Sequence, residues 1–218
     1  MSDLSCPARA LVCRHAEAGY ERPDLILDDD GWLTGHGQDQ ARELGARLVR
    51  ERVAAVYTST LGRARETGAL VGAALGVPVG TVAGVQEFSV GEFAGRPATD
   101  SCVRDVFAAW SSGDLSVGCL GAETGEQVVD RFAEALEHLA DQHRGETVVV
   151  ISHGGVMSLA IPQRSANATS ALSRDRLLPN GAVVAVEIDA DGWRLVGPWP
   201  GRPQNSREPT SSMPRNAS

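Results

Sequence analysis

Short β-rich runs alternate with stretches whose apolar residues recur at helical spacing: ALVC (10–13), AAVYTS (54–59), VPVGTV (77–82), TVVVIS (147–152), AVVAVEID (182–189) and WRLVG (193–197). The alternation constrains the fold strongly, because parallel strands need crossovers and helices on both faces of the sheet supply them. The expected class is α/β, a three-layer α/β/α sandwich with a mostly parallel central sheet. Helical spacing predicts one helix over Gln38 to Arg52, carrying Ala41, Leu44, Leu48 and Val49, and another over Leu61 to Leu75, carrying Ala64, Thr67, Val71 and Leu75. A third presents Val128, Val129, Phe132, Leu136 and Leu139 on one face. The last two runs are joined through Ala190-Asp191-Gly192, whose Asp-Gly pair predicts a hairpin at the sheet edge. Residues 94–125, rich in Gly and Ser but holding Phe107 and Trp110, read as a small cap insertion over a site. On this reading 1–197 form a single domain, and the Pro-, Ser- and Arg-rich stretch 198–218 is a disordered tail.

Composition narrows the chemistry. All 20 basic residues are arginine, which excludes Schiff-base chemistry, a lysine general base and the lysine of a Walker-type phosphate loop. The formal net charge of −8 argues against nucleic-acid or anionic-membrane partners, so an anionic ligand needs a local basic pocket. Cys6, Cys13, Cys102 and Cys119 form no CxxC pair and no zinc-spaced cluster, and reduced, mostly buried thiols are expected. The start, MSDLSCPARALVC, lacks the basic end and long apolar stretch of a signal peptide, and no run approaches transmembrane length. A soluble cytoplasmic protein is the expectation. No pattern in the sequence speaks to its oligomeric state.

In an open α/β sheet, ligands bind beyond the carboxyl ends of the strands. Arg14-His15, Thr58-Ser59 and Ser152-His153-Gly154-Gly155 all fall at such ends. Any one of these is ordinary for a strand end; three together suggest a shared site. Arginine suits phosphate through its planar, permanent charge, and Arg63 stands near the start of the helix after the second run. Arg65, two positions on, points to a different helix face and is expected outside the pocket. Helix N-termini after these strands add free amides. A histidine beside phosphate, with no metal-ligand spacing and no cofactor motif, suggests attack on phosphorus by neutral imidazole, with arginines stabilising the equatorial oxygens. A leaving alkoxide also needs a proton, and VQEFSVGEFAGRP offers two carboxylates, Glu87 and Glu92, between which the chemistry does not choose.

Six ordered blocks resemble the histidine phosphatase superfamily, in its phosphoglycerate-mutase-like branch: RHAE (14–17), LTGHGQDQARELGARL (33–48), YTSTLGRARETG (57–68), EFSVGEFAG (87–95), AETGEQVVDRF (122–132) and VVVISHGGV (148–156). The resemblance implies His15 as the phosphorylated nucleophile and Glu87 as the general acid. It implies Arg14, Arg63 and His153 as the phosphate clamp. This sequence departs from the family pattern in Ala16, where glycine is commoner, in Gln86, where arginine is frequent, and in lacking a Trp-Asn segment after the signature.

The implied function is a metal-independent phosphatase that hydrolyses a small phosphate monoester through phosphohistidine. The 66 positions between Glu87 and His153 leave less room for an insertion than mutases of this family usually have. The alternatives are a phosphoglycerate-mutase-type phosphotransferase and a noncatalytic phosphate-binding regulatory module. For the substrate, Gly154, Arg96 and Arg104 are further candidate contacts, the two arginines for a second anionic group. Phe107, Trp110 and Leu115 either touch an apolar leaving group or close the cap's own core. His36, His138 and His143 read as surface or helix residues.

Overall fold

A computed structural model of the protein describes residues 6–28, 31–168 and 178–200. The central strand is β1 (Ala8–Arg14), whose side chains alternate between the two faces of the sheet. Ala10 and Val12 enter one apolar cluster, Leu11 and Cys13 the other. Around it assembles a six-stranded sheet with β4 (Val53–Thr58), β5 (Val79–Thr81), β6 (Thr147–Ser152), β7 (Val183–Asp189) and β8 (Gly192–Val196), in the order β5-β4-β6-β1-β7-β8. β5, β4, β6 and β1 run parallel, whereas β7 and β8 are antiparallel additions ending in the Asp191-Gly192 turn. A separate two-stranded ladder pairs β2 (Ala18–Gly19) with β3 (Trp32–Leu33).

One face is covered by α1 (Gly35–Leu48) and α2 (Gly62–Leu75), through Leu44, Leu48 and Val71. The other is covered by α4 (Gly125–Gln142) and α5 (Gly154–Arg164), through Val128, Phe132, Leu136, Met157 and Ile161. These are the three expected layers. The first helix begins three residues before the expected Gln38 because Thr34 caps it, its hydroxyl accepting from the Gly37 amide at 2.9 Å. α4 opens on a reciprocal capping box between Thr124 and Gln127.

The structure adds an element to the cap and moves one boundary. The cap region holds a helix, α3 (Cys102–Ser112), whose Val106 and Trp110 are buried against the main core. The folded part also passes the expected boundary at 197, since Trp199 is only 7% exposed and joins that core. The rest of the expected tail, 201–218, lies outside the described residues. Among the described residues, no helix is long and apolar enough to cross a membrane.

Candidate active site

Because β4, β6 and β1 are parallel neighbours, their carboxyl ends lie along one edge of the sheet. Backbone hydrogen bonds continue the register past the strands: His15 N donates to Ser152 O at 2.9 Å, and Ser59 N to Ile151 O at 3.0 Å. Arg14, His15, Ser59 and His153 are thereby brought to one place, and α2 adds Arg63 from its first turn. Arg63 is 6% exposed, while Arg65 faces outward.

His15 is 4% exposed, and its ring is 5.1 Å from that of His153. Nδ1 of His15 lies 2.7 Å from the Ala16 carbonyl, which only accepts, so the ring proton belongs on Nδ1 and the lone pair on Nε2. Arg63 Nε donates to that Nε2 at 3.2 Å. Burial, aided by the charges of Arg63 and Arg14, pushes the His15 imidazolium down to about 3 against the opposing Ala16 hydrogen bond. The ring is therefore neutral, and its unprotonated Nε2 faces the Arg63 guanidinium. The backbone on either side is held as well: the Asn180 amide donates to His15 O at 3.0 Å, and Ala16 N donates to Thr67 Oγ1 at 3.1 Å.

His153 is fully buried and held well below the usual histidine range by burial and then by Arg63. Its Nε2 lies 2.7 Å from Ser59 Oγ, which also accepts from the Leu61 amide at 3.3 Å. His153 Nδ1 and Arg14 Nε are buried and have no hydrogen-bond partner among the described residues. Arg14 is anchored at its other end by donation to the Leu178 carbonyl, and burial lowers its pKa. It passes so close over the start of α5 that a Cβ on Gly154 would lie 3.1 Å from Nε.

Glu87 is brought to the same helix start from the far side. Its Oε2 accepts from Gly155 N at 2.9 Å and its Oε1 from Val156 N at 2.8 Å, an arrangement the positive end of α5 favours. Glu92 is exposed in a 3₁₀ turn, Gly91–Phe93, and is not among the cavity-lining residues. The geometry thus separates two carboxylates that residue chemistry alone did not.

A cavity of about 880 Å³ opens over this floor, with Arg14, Arg63, Glu87, Gly154 and Gly155 on its wall. Of the two arginines considered for a second anionic group, Arg104 lines it. Arg96 does not: it stacks over Phe93 at 4.9 Å and pairs with Asp100 at 3.6 Å, which draws it off the wall. Phe107 faces the cavity, whereas Trp110 and Leu115 pack in the cap, Trp110 being 2% exposed. Among the described residues, no group of three or more His, Cys, Asp or Glu side chains could hold a metal ion.

Several contributors carried no readable signal. Arg131 on α4 donates to the Gly84 and Gln86 carbonyls at 2.6 and 2.8 Å and to the Glu87 carbonyl at 3.3 Å, while Glu123 holds its guanidinium at 2.5 and 3.0 Å. It fixes the loop that presents Glu87. Its partners are main-chain carbonyls, which have no side-chain identity to read. Arg22 and Tyr20 also line the cavity, and the Tyr20 ring lies 5.7 Å from the Arg63 guanidinium.

Residues 10–198 match the model of the histidine phosphatase superfamily (branch 1). The chain is 34% identical over 198 residues to a metal-independent phosphoserine phosphatase of Arabidopsis thaliana, covering 87% of this chain and 79% of that protein. It is 30% identical over 194 residues to phosphoglycerate mutase-like protein 4 of the same plant, covering 86% and 83%. In three dimensions it resembles a mycobacterial glucosyl-3-phosphoglycerate phosphatase with a TM-score of 0.73 at 20% identity, over 89% of this chain and 99% of that one.

Proposed function

The chain belongs to branch 1 of the histidine phosphatase superfamily, and on that premise we propose that it hydrolyses a small phosphate monoester through a phosphohistidine formed on His15, with no metal ion taking part. That it is a phosphatase agrees with the names of its relatives; which residues act, and how, is our reading. The observation that carries it is the pairing of a neutral His15, its lone pair on Nε2, with buried arginine and histidine nitrogens that the protein leaves unpartnered among the described residues.

The steps follow from those positions. Phosphate oxygens take the Arg14 Nε donor, the Arg63 guanidinium and His153 Nδ1. With the Leu61 amide on the Ser59 hydroxyl oxygen, the Ser59 hydrogen is available to His153 Nε2, which leaves the proton of the neutral imidazole on Nδ1 as a donor. His15 Nε2 attacks phosphorus as the P–O bond to the alcohol breaks, and Glu87, in protonated form, gives its proton to the leaving oxygen. The arginines stabilise charge on the equatorial oxygens throughout. In the second half Glu87, now a carboxylate, takes a proton from a water that attacks phosphohistidine. This releases inorganic phosphate and restores His15.

The decisive experiment is hydrolysis of p-nitrophenyl phosphate by the wild type and by His15→Ala, purified side by side, with acid-labile phosphate on the protein trapped by rapid quench. Turnover and trapped phosphate in the wild type, both lost in the variant, are expected. Turnover that survives in His15→Ala would assign the attack to another group.

A further inference from the structure

Above the phosphate floor, the cavity walls belong to two segments that the phosphate itself does not need. One is the strap from Pro23 to Leu27 and the other is the α3 face carrying Val103 and Phe107, with Phe88 between them and the floor. At about 880 Å³ the cavity falls in the range of roughly 300–1,000 Å³ that takes a drug-sized ligand, far beyond what a phosphate group fills. The released alcohol therefore has a substantial body, and the wall describes its chemistry.

Most of the charge on that wall is already committed to the protein. Arg22 donates twice to Asp24, at 3.0 Å each. Asp28 accepts from the Ser89 hydroxyl and the Val90 amide at 2.5 and 2.9 Å, and Asp100 accepts from the Cys102 amide at 2.9 Å. An amino-acid phosphate would find Arg22 and Asp100 already paired, and would have only exposed side chains left for its ammonium and carboxylate. Among the lining charges outside the phosphate floor, Arg104 and Asp28 have no ion pair among the described residues; both are exposed, and Asp28 is held by the two neutral donors just named. The remaining surface is aliphatic and aromatic.

That surface is also fixed in advance. Phe88 meets Trp110 edge-on at 4.9 Å and 83°, and Phe107 meets it at 6.0 Å and 62°. Trp110 is itself locked by donation from its indole nitrogen to Val117 O at 2.7 Å. The strap is pinned to the cap base by Ile26 N to Arg96 O, Gly95 N to Ile26 O and Ala98 N to Asp24 O, each 2.8 Å. Two rigid apolar walls face one another across the site, which favours a flat or bulky apolar group without an ordering cost.

We propose that the alcohol this site releases is apolar, with an aromatic or branched body seated between the Leu25–Leu27 strap and the Phe88–Phe107 wall. The proposal rests on the phosphatase reading above and names its substrate class.

The test uses esters whose alcohols are similar leaving groups, so that proton donation does not bias the comparison: 3-phenylpropyl phosphate, propyl phosphate, O-phosphoserine and 3-phosphoglycerate, with p-nitrophenyl phosphate as the check for turnover. Burial of the phenyl ring is expected to raise kcat/KM for 3-phenylpropyl over propyl phosphate by about 30-fold. Phe107→Ala narrows that ratio and Phe107→Leu narrows it less. A wild-type ratio near one, or a preference for O-phosphoserine or 3-phosphoglycerate, overturns the proposal. If p-nitrophenyl phosphate and every ester resist hydrolysis, the phosphatase reading fails by itself. The apolar seat is then judged by calorimetric binding of 3-phenylpropylphosphonate against propylphosphonate: tighter binding of the first upholds it, and equal affinities overturn it.

Discussion

Gly155 sits in the first turn of α5, directly beneath the carboxyl group of Glu87. In an exposed helix, alanine in place of glycine gains about 1 kcal/mol. Here a Cβ would stand 2.6 Å from Phe88 Cε1, 2.7 Å from Glu87 Oε1 and 3.0 Å from Glu87 Cδ. Ordinary contact begins near 3.4 Å, so in Gly155→Ala the carboxyl group has to retreat by about 0.7 Å. The crowding costs about 1–3 kcal/mol, against which the helix gain is set, leaving a net loss of about 0–2 kcal/mol and a folded protein. Catalysis is far more sensitive than stability, because a proton donor moved by about 1 Å loses on the order of 100-fold. The expected outcome is a fall of about 100-fold in kcat/KM for propyl phosphate and only a few-fold fall for p-nitrophenyl phosphate, whose leaving group needs no proton. Steady-state kinetics on both esters, with a thermal melt to show that the variant folds, decides the matter. Equal losses on the two esters, or none on either, would refute the assignment of Glu87 as the donor.

Burial lowers His15 from 6.5 to about 3, so in that window the unfolded chain binds a proton that the folded chain refuses. Stability is full above the unfolded value and falls as pH drops, by up to about 1.4 kcal/mol per pH unit for this group. Urea unfolding between pH 7.5 and 4.5 should therefore show a shallower acid slope for His15→Gln than for the wild type, and identical slopes would mean that His15 titrates normally in the fold. Arg131→Met removes three hydrogen bonds to carbonyls and the pair with Glu123, and should cost about 3 kcal/mol of stability. It should also depress kcat/KM on alkyl esters more than on p-nitrophenyl phosphate; an unchanged ratio would leave Arg131 a role in folding alone. Dialysis against EDTA should leave hydrolysis rates unaltered, and strong inhibition restored by a divalent cation would expose a metal requirement.

What could be read from the sequence depended on whether the physical cause was local. The strands β1 and β6 announce themselves because both faces are buried, giving uninterrupted apolar runs such as Leu11 to Cys13 and Val148 to Ile151. The polar residues that follow them stand out by contrast, and this makes Arg14, His15 and His153 conspicuous. Helical geometry allows only one of Arg63 and Arg65 to face the pocket, and nearness to the strand end selects Arg63, the buried one of the two. Residue chemistry could not tell Glu87 from Glu92 and only the family resemblance pointed to Glu87, because the physical difference is made by two amides of α5, far away in the chain. Arg131 was illegible for the same reason. Helix α3 was not assigned: Val106 and Trp110 have helical spacing, but the glycines and serines around them dilute the pattern within the cap insertion. Trp199 shows the converse error, since a polar, proline-rich neighbourhood masked one residue with a place in the core.

The position of β1 between β6 and β7 also has a bearing on how the enzyme is made. The strand that leads into His15 precedes both of its neighbours in the chain, which are supplied by Thr147–Ser152 and Val183–Asp189. Both edges of this strongly apolar strand are thus paired by segments distant in sequence, the kind of non-local contact that slows folding. The Asn180 amide that grips the His15 carbonyl, and the Leu178 carbonyl that anchors Arg14, come later still than β6. A chain cut short before Leu178 would therefore lack both the groups that hold Arg14 and the His15 carbonyl and one neighbour of β1.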